Sequence, residues 1–175
     1  MPWTYAWSPS LLPKPQDWRN QIDIAGFYFL DLATNYSPPS PLADFLAKAA
    51  EDNQPVVYIG FGSVPVEDPK AMSAAVRAAV RKANVRALVS VGWAGLSSSS
   101  DNNDGDDDAA ELKQADDVIL IEDVPHDWLF TQVAAAVHHG GAGTTAIGLL
   151  KGLPTGSSAQ SSPCGEARVG YPPSL

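Results

Sequence analysis

Residues 137–145 read Val137, His138, His139, Gly140, Gly141, Ala142, Gly143, Thr144 and Thr145. An apolar run of strand length ends in two histidines, the chain turns through three glycines, and a helix-like pattern follows at once. A strand that feeds a helix through a tight glycine turn is a building unit of layered α/β domains, so this run limits the fold more than any other. The same run constrains chemistry. Glycines let the backbone bend sharply and come close to a ligand, and the first turn of a helix presents free N–H groups and the positive end of its dipole. Thr144 and Thr145 add hydroxyls, and an imidazole adds a further donor. These residue types in this order suit an anion, phosphate above all. A plain strand-to-helix turn uses the same glycines and threonines and stays open as the alternative.

The rest of the chain repeats the alternation. Residues 55–61, 85–91, 117–121 and 134–138 are short apolar runs of strand length, and residues 69–83 are alanine-rich with Met72, Val76 and Val80 at helical spacing. Strands apolar throughout and separated by helices predict an α/β fold, a Rossmann-like parallel sheet with flanking helices on both faces. Ligands of such sheets bind beyond the carboxyl ends of the strands.

Outside that core the chain changes character. Residues 1–54 read as a linker and lead-in: proline-rich coil over 7–15, an extra strand within 22–30, and a break at Pro38, Pro39 and Pro41 before a helix over 42–50. Residues 55–155 form the expected domain. Residues 97–117 are an acidic loop whose aspartates lack the terminal glutamate of a calcium loop, so they read as solvated. Residues 156–175 have no periodicity and read as a disordered tail.

The net charge of -9 argues against nucleic acid and against anionic membrane surfaces as partners. Cys164 is the only cysteine, which leaves no disulfide framework or metal knuckle and suits a reducing, cytoplasmic setting. No stretch has the apolar length of a membrane span, and residues 1–10 lack the pattern of a signal peptide.

Four motifs in order carry a family resemblance: Gly60, Phe61, Gly62, Ser63; then Arg86, Ala87, Leu88, Val89, Ser90 with Gly92 and Trp93; then residues 124–130 from Val124 through Phe130; then residues 138–145. Together they resemble the C-terminal, nucleotide-sugar-binding half of sterol 3-β-glucosyltransferases and related family 1 glycosyltransferases. The resemblance covers roughly residues 7–155. It implies a GT-B fold, in which two Rossmann-like domains face each other, and transfer of glucose from UDP-glucose to a sterol or other lipophilic hydroxyl with inversion. It also implies peripheral association of the complete enzyme with membranes.

Carried over residue by residue, the resemblance makes His139 a phosphate contact. Gly141, Ala142, Gly143, Thr144 and Thr145 become the turn that holds the diphosphate, and Gly62 and Ser63 the loop bordering it. The stretch from Asp123 through Val124 and Pro125 to His126 becomes the wall that receives the uracil. Trp128 reads either as a stacking aromatic or as a core anchor, His126 as a base contact or an ordinary turn residue, and His138 as a packed neighbour rather than a ligand. No catalytic residue is assigned here: the resemblance places the general base, a histidine with an acidic partner, on an N-terminal acceptor domain. No metal and no cofactor beyond the UDP-sugar donor is expected, since amides and a histidine can stabilise a diphosphate leaving group.

The sequence departs from the family after Thr155. Where family members continue with an apolar strand and an Asp-Gln pair that grips the sugar, Gly156, Ser157, Ser158, Ala159 and Gln160 stand here. The last strands are therefore expected to be missing, with the strand at 134–138 left as an open edge. Two further readings stay beside the transferase: a non-catalytic UDP-sugar binding module, and an inactive truncated remnant.

Overall fold

The computed structural model describes residues 1–30, 33–62, 69–90, 116–157 and 168–170, the side chains of 69–70 and 168–170 excepted. In chain order the elements are β1 (Trp3–Tyr5), β2 (Ile22–Ile24), a 3-10 turn (Ala33–Asn35), α1 (Ser40–Glu51), β3 (Val56–Gly60), α2 (Pro69–Ala83), β4 (Arg86–Ser90), β5 (Val118–Ile121), α3 (His126–Leu129), β6 (Ala135–His138), α4 (Ala142–Leu150), β7 (Thr155–Ser157) and β8 (Arg168–Gly170).

Strands β3 to β8 form one sheet in the order β5-β4-β3-β6-β7-β8, with β8 alone antiparallel. The path runs outward from β3 through β4 to β5, then returns across β3 to lay β6 on its other side. The direction of winding reverses between β3 and β6, so their carboxyl ends flank the topological switch point where such sheets form a crevice. Gly60 and His138 are register partners at that place.

Alternate residues along each strand serve opposite faces. Val56, Tyr58, Leu88 and Ala136 face one core, closed by Leu42 and Ala49 of α1 and Leu129 of α3. Ile59, Ala87, Val89 and Val118 face the other, closed by Val76 and Val80 of α2. Strands buried on both faces explain why the sequence runs are apolar without alternation. The helices enter the sheet by a shared device. Asn53 (φ 51°), Asn84 (φ 52°) and Gly152 (φ 63°) are left-handed residues after α1, α2 and α4. The amides of Gln54, Val85 and Leu153 bond back to the carbonyls of Ala49, Val80 and Gly148 at 2.9, 3.3 and 2.9 Å, which ends each helix and aims the chain into the next strand.

The lead-in segment docks on this body. The amide of Ala33 donates to Asp127 Oδ2 at 2.8 Å, and the Tyr36 ring lies 5.0 Å from that of Trp128. Trp128 thereby packs against the first core as an anchor.

The structure corrects the sequence expectations in three places. Of residues 22–30 only Ile22–Ile24 is a strand, and it pairs in parallel with an unanticipated β1 in a separate two-stranded sheet, beside which Tyr5, Trp7 and Trp18 cluster. The strand at 134–138 is not left as an open edge: Thr155, Gly156 and Ser157 pair in parallel with Ala136, Val137 and His138. Residues 168–170, inside the stretch expected to be a disordered tail, then pair with β7. Backbone groups form the ladder, and a polar Gly-Ser segment can join it once the Pro154 carbonyl has accepted the Ala136 amide at 2.9 Å and set the register. Gly92, Trp93, Cys164 and nearly all of the acidic loop lie outside the described residues.

Candidate functional site

The carboxyl ends of β3 and β6 bring two glycine-containing segments together. Beyond β3 the chain turns at Gly62, whose φ of +60° is left-handed and suits glycine. Beyond β6 it turns at Gly140 (φ +87°) and enters α4 at Gly141. The His139 ring lies between the two segments. A methyl group placed on Gly62 would overlap Cε1 of His139, and one on Gly141 would lie 2.5 Å from its Nε2. A side chain at either glycine would therefore displace the same imidazole. His139 Nδ1 is buried and has no partner.

Helix α4 starts without a side-chain cap. The Thr145 amide donates to the Gly141 carbonyl at 2.9 Å, which leaves the amides of Ala142, Gly143 and Thr144 in the uncapped first turn. Ala142 and Gly143 are exposed, Thr144 and Thr145 half-buried. An uncapped helix start beside a clamped histidine at the switch point is an arrangement that can receive an anion.

Val124 and His126 stand differently from their neighbours in the proposed site. The Val124 side chain is buried in the first core, so only its backbone groups can serve a ligand. The His126 ring turns inward. Its Nε2 shares a hydrogen bond of 2.9 Å with the Tyr58 hydroxyl, and it meets the Phe130 ring edge to face. Burial lowers the His126 pKa from 6.5, with Asp123 and Asp127 opposing the shift. Ser63 lies outside the described residues.

Tyr58, which the sequence pattern did not single out, and the expected His138 complete the surroundings. Tyr58 is buried, its ring crosses above Gly60, and a methyl on Gly60 would overlap its hydroxyl. Burial raises the Tyr58 pKa, a hydrogen bond with Ser90 acting against it. The signal was available in the spacing, since a tyrosine two residues before a glycine on a strand shares its face and can lie over it. His138 is buried, as expected of a packed neighbour. Among the described residues no group of three or more His, Cys, Asp or Glu side chains gathers as metal ligands. No helix among them is long and apolar enough to cross a membrane.

The described α/β sheet resembles part of the fold of GT-B glycosyltransferases. The glycosyltransferase SnogD from Streptomyces nogalater superposes with a TM-score of 0.51 at 21% identity over 79% of this chain and 33% of its own. Arabidopsis thaliana UGT89C1 does so with 0.58 at 21% identity over 91% of this chain and 38% of its own. By sequence the chain is similar to part of the sterol 3-β-glucosyltransferases. It is 45% identical over 156 residues to sterol 3-beta-glucosyltransferase UGT80A2 of Arabidopsis thaliana. The sterol 3-beta-glucosyltransferases of Aspergillus clavatus and Leptosphaeria maculans are 43% and 41% identical to it. These matches take in 89%, 89% and 88% of this chain but only 22%, 11% and 10% of the relatives' lengths. No family model matches the chain.

Proposed function

We propose that this chain forms the donor-binding part of a UDP-glucose-dependent glucosyltransferase whose acceptor is a sterol or a similar lipophilic alcohol. The observation that carries the proposal is the His139 ring, held between Gly62 and Gly141 in front of the uncapped start of α4. The diphosphate sits against the Ala142, Gly143 and Thr144 amides, with Thr144 and Thr145 hydroxyls and His139 beside it. The uracil lies along the backbone near Val124, and Gly62 and Ser63 border the phosphates. His126 borders this wall with its Nε2 already engaged by the Tyr58 hydroxyl.

In such a transfer the bond from the sugar to the diphosphate breaks as the acceptor oxygen attacks from the opposite side. Negative charge grows on the leaving oxygen. Amide dipoles and an imidazole already aimed there lower the barrier, because they need no reorganisation as the charge appears. The acceptor hydroxyl needs a general base within hydrogen-bond reach. We assign that base to the acceptor-binding portion of the complete enzyme, since this chain matches only 22% of the length of the plant relative. The names of the relatives are the support for glucose and sterol.

Thermal unfolding of the purified chain, followed by tryptophan fluorescence, tests the proposal. UDP at about 100 times its dissociation constant adds about 2.7 kcal/mol to a domain that binds it. UDP is expected to raise the melting temperature, uridine much less, and His139→Ala is expected to abolish the response while keeping a cooperative melt. A cooperative wild-type melt indifferent to UDP would overturn the assignment.

A further inference from the structure

His138 precedes the proposed phosphate contact and is 2% exposed. Its Nδ1 accepts the Gly140 amide hydrogen at 3.0 Å, while its Nε2 is buried with no partner. A ring nitrogen that accepts a hydrogen bond carries no proton, so the neutral ring must hold its proton on Nε2. Gly140 is the left-handed corner where the chain leaves β6. A methyl there would meet only Ser157 Cβ, at 3.9 Å. Space is therefore not what the corner demands; its dihedral angle is, and the bond from its amide to His138 is what holds that dihedral.

We propose that His138 is the positioning residue of the anion turn: as the Nε2–H tautomer it holds the Gly140 amide through Nδ1 and so sets the corner that seats His139 between Gly62 and Gly141. The consequence for a ligand rests on the donor-site proposal above, whereas the tautomer and the corner do not. The groups around His138 favour the neutral ring. Burial is the largest influence lowering its pKa, and His139 on the same turn and His126 from α3 act in the same direction. From the flanking strands, Gly60 of β3 and Ser157 of β7 are its register partners. The next face-directed side chain of β3, Tyr58, is engaged with His126. A second proton would place a hydrogen on Nδ1 facing the Gly140 N–H, and two donors cannot share that space.

The test uses the full chain with nitrogen-15-labelled histidine and glycine. In wild type at neutral pH, His138 Nδ1 is expected to show the shift of an unprotonated ring nitrogen and Nε2 that of a protonated one. This measurement needs no variant. Two variants then separate orientation from bulk. In His138→Asn the amide oxygen reaches the place of Nδ1, and in His138→Gln it reaches that of Nε2. The Gly140 amide resonance is expected to stay near its wild-type position in the first and to move in the second. UDP affinity should stay within about twofold of wild type for His138→Asn and fall by about tenfold for His138→Gln.

A protonated Nδ1 in wild type, or a Gly140 resonance that responds alike to both variants, would overturn the proposal whether or not UDP binds. A wild-type chain with the expected tautomer and no response to UDP would overturn the donor-site assignment and leave the positioning role standing.

Discussion

Gly62 and His139, from the ends of two adjacent parallel strands, occupy adjoining space: a methyl on Gly62 would overlap the imidazole and lie 2.7 Å from its Nδ1. One ring from the end of β6 thus occupies the space a side chain at the end of β3 would need. Gly141 supports the same ring from the other side, at an ordinary φ of -58°. Gly141→Ala therefore tests contact alone, and Gly62→Ala tests contact plus a left-handed backbone that costs about 1 kcal/mol for an L-residue. Both variants should weaken UDP binding by about tenfold or more, and Gly62→Ala should also lower the melting temperature further. Titration and thermal melts of the two proteins check this, and an unchanged UDP affinity in both would count against a seated His139.

Tyr58→Phe removes the hydroxyl that shares a hydrogen bond with His126 Nε2 and leaves a half-buried imidazole without that partner. The expected loss of stability is about 1 kcal/mol, read as a lower urea midpoint at unchanged slope. Gly60→Ala should cost more than Tyr58→Phe, because the new methyl overlaps the tyrosine hydroxyl itself.

His126 and His138 both have pKa values lowered from 6.5 by burial. In the range between the folded values and 6.5 the unfolded chain binds more protons than the folded one, so the stability of the folded state rises with pH there. Full stability is expected above about pH 7 and is lost as pH falls through 6.5 toward the lowered folded values. Urea melts at about pH 7.5 and about pH 5.5 should show this loss, and His138→Asn should reduce it. A stability that climbs on acidification over that interval would contradict the burial of these rings.

At the opposite end of the sheet, Arg86 is 5% exposed and ties β4 to the segment after α1. Its Nε donates to Gln54 Oε1 at 2.8 Å and its Nη2 to Asp52 Oδ2 at 2.7 Å, and the guanidinium lies 5.4 Å from the centre of the Phe45 ring. Arg86→Ala should cost about 2 kcal/mol through lost packing of the stem and lost hydrogen bonds. Asp52→Asn should cost under about 1 kcal/mol, since that carboxylate is 48% exposed and well solvated. Neither change should alter the UDP response, which thermal melts with and without nucleotide will show.

The sequence by itself determined the local elements. The helix over Pro69–Ala83 and the strands at Val56–Gly60, Arg86–Ser90, Val118–Ile121 and Ala135–His138 were legible because each is a near-continuous run of apolar or helix-forming residues, bounded by turn residues such as Asn84 and Gly140. The run at 138–145 was legible as a strand-to-helix turn through glycines. Periodicity records only what lies next along the chain, so it was silent on what lies across it. The return of the chain over β3 brought Gly62 against His139, and Tyr58 against His126. The ladder offered by β6 drew the polar residues Gly156 and Ser157 into β7, where their side chains gave no sign of a strand. Those outcomes belong to the tertiary structure, because hydrogen-bonding partners and clamped rings are supplied by neighbours remote in sequence, and the local pattern of a segment does not contain them.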